Sequence, residues 1–162
     1  MSAKARDELA ESAPEKFALD LTLQFPDKRL QRQLSKALIK KTVRAALFAP
    51  AEITIRFVDA EEGRALNRDF RAKDYATNVL TFAYSVDTNA ETTLADIILC
   101  TDVLQQEAAT QKKSLIDHTR HLIVHGVLHA QGYDHEDEAE AAEMEQLEAE
   151  ILATLDVANP YQ

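Results

Sequence analysis

The 162-residue sequence predicts an α/β (α+β) fold, with one small mixed β-sheet of about four strands packed with about five helices. Three observations predict it. Short segments of period-2 or β-branched character alternate with longer segments of helical period. Hydrophobic residues make up 46% of the chain and charged residues 28%, enough apolar material to bury a core. Three Gly and four Pro exclude collagen-like, linker-rich and low-complexity architectures.

Residues 1–15 are polar, alternate in charge and lack periodicity, so they read as a flexible N-terminus. FALDLTLQF (17–25) alternates apolar and polar, as a half-buried strand does. Pro26 and Asp27 then read as N′ and N-cap of a helix from Lys28 to about Phe48, closed by Pro50. Leu30, Leu34, Leu38 and Ala45 would share one face of it; Arg29, Arg32, Lys36, Lys40 and Arg44 would line another. EITIRFV (52–58) is a second strand and residues 60–70 a short helix. Strands over 78–84 and 94–100 flank a patternless loop, 85–93. A helix over 102–112 takes Thr101 as its N-cap, and a long helix runs from about Ser114 to Ala130, ended by Gly132 in a left-handed conformation. The last helix spans about Glu136 to Leu155, with acids in its first turns where the helix dipole favours them. No linker divides the chain, which reads as a single domain over 16–157 with a flexible tail at 158–162.

Cys100 is the only cysteine, which excludes an intramolecular disulfide framework and fits a reducing compartment. No apolar run reaches the roughly 18–20 residues a membrane span needs, and the N-terminal segment lacks the apolar stretch of a signal peptide. A cytoplasmic protein with no membrane partner is expected. The formal net charge of −10 comes entirely from residues 121–162, which hold ten acids and no Lys or Arg. Residues 28–44, by contrast, hold seven Lys or Arg and no acid. That stripe is either a track for a phosphate backbone or a plain solvated helix face, so net charge does not exclude a nucleic-acid partner.

All five histidines lie between residues 118 and 135. His121, His125 and His129 stack on one helix face at spacings of four. A pair at i, i+4 presents two imidazoles to one point, and a glycine-broken helix end lets the chain turn back with a third. H-x-x-x-H-x-x-G-x-x-H, here His125, His129, Gly132 and His135, is that arrangement. Three neutral ligands leave a fourth position for water, as in a catalytic zinc site on a helix and its following turn. The spacing to Gly132 and His135 selects His125 over His121, so His118 and His121 read as non-ligands. A peptidase of this spacing needs Glu directly after the first ligand as general base, where this chain has Gly126.

HGVLHAQGYDH (125–135) resembles the H-G-x-L-H-x-x-G-Y-D-H signature of the YbeY family, bacterial zinc-dependent endoribonucleases and ribosomal RNA maturation factors. LNRDFRAKDYATNVLTF (66–82) is similar to that family's second block, with Ala76 in place of the usual Pro. ADIILC (95–100) resembles a third, with Ala95 in place of the usual Gly. The resemblance implies one Zn2+ per chain on His125, His129 and His135, and Arg71 in phosphate contact or catalysis. It implies a cytosolic catalytic domain cleaving single-stranded RNA in 16S rRNA 3′-end maturation and ribosome quality control. The expected partners are rRNA, the ribosome or pre-ribosomal particles, the small-subunit protein S11 and the GTPase Era.

Several readings stay open at this level. Arg71 is either a bidentate phosphate clamp or a surface arginine paired with Asp69 or Asp74. Asp134 either orients a histidine from behind or caps the last helix. Arg29, Arg32, Lys36, Lys40 and Arg44 are the candidate RNA contacts. Rival functions are a zinc-stabilised assembly factor without catalysis, and a metal-dependent hydrolase of another substrate.

Overall fold

The computed structural model describes residues 17–84 and 92–162. The expected flexible N-terminus and most of the expected loop at 85–93 lie outside them. Four strands, β1 (Leu19–Gln24), β2 (Ala51–Val58), β3 (Val79–Tyr84) and β4 (Thr93–Cys100), form one sheet in the order β1-β2-β4-β3. β1 pairs parallel with β2 and β2 parallel with β4, while β3 closes the edge antiparallel to β4. The expected mixed four-stranded sheet is therefore present.

Five helices surround it among the described residues: α1 (Lys36–Ala45), α2 (Ala60–Arg71), α3 (Thr101–Thr110), α4 (Leu115–Ala130) and α5 (Glu138–Thr154). Strand alternation sends Ile53, Ile55, Phe57, Ala95, Ile97 and Leu99 to one face, where they join Ile39 and Val43 of α1, Ile123 and Val127 of α4 and Leu152 of α5 in the main core. The opposite face carries Val58, Leu80, Ile98 and Cys100 in a smaller core closed by Leu66 of α2 and Val103 of α3. Residues 97–100 of central strand β4 are apolar on both faces because they are covered on both, as interior strands are.

The helix expected from Lys28 to Phe48 is shorter. Asp27 does not cap it: its Oδ1 accepts the Arg29 amide at 3.0 Å, and its carboxylate holds the Arg29 guanidinium. Residues 28–34 instead run in turns closed by Gln31 N–H to Lys28 C=O (3.1 Å) and Gln33 N–H to Leu30 C=O (3.2 Å), which bury Leu30 and Leu34. Ser35, extended at φ −65°, restarts the chain as a helix by accepting the Leu38 amide on Oγ at 3.1 Å. A hydroxyl that satisfies an orphan amide is worth about 1 kcal/mol there. The fully buried residues of α1 are Ile39, Thr42 and Val43, with Leu38 and Ala45 partly buried against the same core.

Smaller corrections follow the same logic. Thr101 is the first residue of α3, and Cys100 stands at the N-cap without a side-chain bond. The cap of α5 is Asp137, whose Oδ1 accepts the Glu140 amide at 2.7 Å. Residues 158–162 lie against the body: Lys113 Nζ donates to the Pro160 carbonyl at 2.8 Å, and the Tyr161 hydroxyl to Glu148 at 3.0 Å.

Candidate metal centre

Helix α4 starts at Ser114, whose Oγ accepts the Asp117 amide at 3.2 Å, and lies across β3 and β4. Gly126 permits the close approach. A Cβ there would stand 3.1 Å from Ile97 Cγ2 and 3.3 Å from Thr81 Oγ1. The position faces the sheet, so the glutamate base of the peptidase motif would meet Ile97 and Thr81 at its first carbon.

The helix ends in a Schellman turn. Gly132 N–H donates to His129 C=O at 3.0 Å and Tyr133 N–H to Leu128 C=O at 3.1 Å, with Gly132 at φ +102°. That reversal carries His135 back toward α4. One nitrogen each of His125, His129 and His135 falls within 4.8 Å of the others, and the ring centroids lie 4.6 to 5.6 Å apart. Burial, reinforced by the neighbouring His125 and His135, pushes the His129 pKa below the ordinary histidine value and favours its neutral, lone-pair-bearing ring.

The three histidines open onto a groove of about 440 Å³ also lined by Asn67, Arg71, Lys73, Tyr75 and Thr81. Arg71 comes from the end of α2. Its Nη2 donates to the Thr81 carbonyl at 2.8 Å, and its guanidinium lies 5.3 Å from the centroid of the Phe82 ring. Neither proposed surface partner takes it, since Asp74 pairs with Arg64 and Asp69 with Arg68. Asn67, almost fully buried, donates to the Tyr75 carbonyl at 2.8 Å and so fixes the segment that carries Lys73 and Tyr75. Among the described residues no Asp or Glu lines this groove, so they present positive and neutral groups on a chain of net charge −10.

The basic stripe does not survive as one helix face. Arg29 and Arg32 lie in the turns before α1, and Arg29 Nη1 donates to Asp102 at 2.7 Å and Gln105 at 3.1 Å besides its pairing with Asp27. Arg29 ties the chain before α1 to the start of α3. Lys36, Lys40 and Arg44 do follow one another along α1, but none of the five lines the histidine groove.

Asp134 accepts the His135 amide at 2.7 Å and stands 3.8 Å from His135 Nδ1, too long for a hydrogen bond to the ring. It is not the cap of α5, and it fixes backbone rather than imidazole. Among the described residues, the acid within hydrogen-bond distance of a ring of the cluster is Glu148 of α5, which sequence reading missed. Its Oε1 lies 3.0 Å from both His125 Nδ1 and His121 Nε2. Burial opposes its charge, but the hydrogen bonds from His121 and His125 outweigh that and hold the carboxyl at about 2. One signal was available. Glu148 falls in register with Met144, Ile151, Leu152 and Leu155 and is thus a lone acid on the buried stripe of α5.

Comparisons with known proteins identify one family. The family model described as endoribonuclease YbeY matches residues 19–156. A protein named endoribonuclease YbeY from Janthinobacterium sp. (strain Marseille) is 64% identical over 147 residues, covering 91% of this chain and 97% of the relative. Another of that name, from Herminiimonas arsenicoxydans, is 60% identical and covers 88% and 95%. The solution structure of TM1509 from Thermotoga maritima shares the fold at a TM-score of 0.53 and 19% identity, covering 89% of this chain and 95% of that one. A match running from β1 to just beyond α5, with the histidines and Arg71 inside it, places the chain in the endoribonuclease YbeY family.

Proposed function

We propose that the chain is a zinc-dependent endoribonuclease specific for single strands, acting in the cytoplasm in 16S rRNA 3′-end maturation and ribosome quality control. Among the described residues no helix is long and apolar enough to cross a membrane. The observation that carries the reading is one groove in which Arg71 and Lys73 share a wall with the three-histidine cluster. Three imidazoles without a carboxylate suit zinc, which takes nitrogen donors and keeps a position open for substrate. His125, His129 and His135 would hold it. When bound, the ion would supply Lewis acidity toward a phosphate oxygen or an attacking hydroxyl.

The remaining work falls to the chain's own groups. Arg71, anchored by Thr81 and seated beside Phe82, offers a planar fork that matches two phosphate oxygens as charge grows on them. Lys73 adds a mobile point charge in the same groove. Tyr75, 55% exposed, gives a ring face on which an unpaired base can stack and a duplexed one cannot. Ribosomal precursors, S11 and Era are the partners this reading entails.

A single-turnover cleavage assay on single-stranded RNA at saturating protein tests it. Arg71→Ala keeps fold and metal but loses roughly 10²–10³-fold in rate, the scale for one positioned charge-stabilising donor. Arg71→Lys recovers only part, since a point charge lacks the fork. Wild-type rates from folded, metal-loaded Arg71→Ala would remove Arg71 from the chemistry. Metal-loaded wild-type protein that binds the RNA and leaves it intact would overturn the enzymatic reading in favour of a binding factor.

A further inference from the structure

We propose that Glu148 is a positioning residue for the metal centre: it fixes the tautomer of His125 and withdraws His121 from the donor set. The inference rests on the metal reading above. Glu148 is 1% exposed, and its described partners are two imidazoles and a phenol rather than a cation. An ionised carboxylate only accepts hydrogen bonds, so each ring nitrogen facing it must carry the proton. His125 meets Oε1 through Nδ1, at 3.0 Å. A neutral imidazole protonated on Nδ1 has its lone pair on Nε2, the nitrogen left to face His129 and His135.

His121 meets the same Oε1 through the opposite nitrogen, Nε2, at 3.0 Å, and that atom also lies 3.1 Å from the Tyr161 hydroxyl. Its lone pair is thereby placed on Nδ1, which is buried without a hydrogen-bond partner among the described residues. Four residues before His125 and on the same helix face, His121 has the spacing of a ligand but neither nitrogen available as one. The Tyr161 hydroxyl completes the arrangement by donating to Oε2 at 3.0 Å, which holds the carboxylate plane between the two rings. One carboxylate thus sorts two adjacent histidines into a ligand and a support.

Two measurements test this. In metal-free wild-type protein, long-range proton–nitrogen NMR above the histidine titration range should show His125 protonated on Nδ1 and His121 on Nε2. His125 protonated on Nε2 would overturn the proposal, whatever the metal does. Zinc affinity, read by competition with a chromophoric chelator, should fall about 10–100-fold in Glu148→Gln, the usual cost of removing a carboxylate behind a ligating histidine. The same variant should show a mixed His125 tautomer, which a merely structural role would not produce. Unchanged zinc affinity in folded Glu148→Gln would overturn the proposal. Wild-type protein that binds no zinc would instead overturn the metal reading, and the NMR result would still decide the tautomer.

Discussion

Replacing Gly132 by Ala isolates the turn that delivers the third histidine. Nothing lies within 4 Å of a Cβ built there, so the substitution meets no clash and acts through the backbone alone. The residue sits at φ +102°, where an L side chain costs about 1–2 kcal/mol. Stiffening of the unfolded chain returns about 0.4–1 kcal/mol. The net loss is about 1 kcal/mol, or a fall of about 2–4 °C in Tm for a chain of this length. If the turn relaxes instead, it breaks the Gly132–His129 and Tyr133–Leu128 hydrogen bonds and swings His135 away from His125 and His129. Zinc affinity should then fall by at least about tenfold, as when a group supporting a ligand is lost. Thermal unfolding of the metal-free protein and chelator competition read the two effects separately. Gly132→Asn is the control, because Asn enters the left-handed region most readily after Gly and should keep most of both. Ala as stable and as tight for zinc as wild type, or Asn as damaging as Ala, would refute the reasoning.

Two further outcomes are expected. Arg29 holds the Asp27 and Asp102 carboxyls below their ordinary range by hydrogen bonding, so its stabilisation is fully present above their unfolded pKa, near 3.9, and lost as pH falls through the lowered values. Urea unfolding should therefore show a stability gap between wild type and Arg29→Met, at most about 1 kcal/mol per partly exposed pair, that closes below about pH 4; a gap unchanged to pH 2 would break the assignment. Lys73→Ala should lower the salt slope of RNA binding by roughly 0.7, the value for one phosphate contact on a single strand, whereas Lys36→Ala and Lys40→Ala on α1 should leave it unchanged. A slope reduced equally by all three would extend the strand across α1.

Much of the site was legible because it is local. The cluster of His125, His129 and His135 needs only helix period and one left-handed residue, Gly132, both of which follow from sequence neighbours. The strands were legible for a similar reason, since period-2 burial marks β1 and β2 directly. The chain before α1 was not. Basic residues at spacings of three and four suggested continuous helix, but Asp27 finds Arg29, Arg29 finds Asp102 across 73 residues, and Ser35 opens the helix afresh. Partners that distant leave no periodicity behind.

What the sequence by itself determined is the strands, the order of the elements along the chain and the three clustered histidines, because each depends on neighbours within a few turns of chain. Only the tertiary structure decided which groups serve them. It set Thr81 of β3 as the anchor of Arg71 and turned Gly126 onto Ile97 and Thr81 of the sheet. It also picked Glu148 out of ten C-terminal acids to stand against His121 and His125. An acid in a solvated run and an acid buried behind a histidine are the same letter; they differ in what packs against them, and that is settled by the fold.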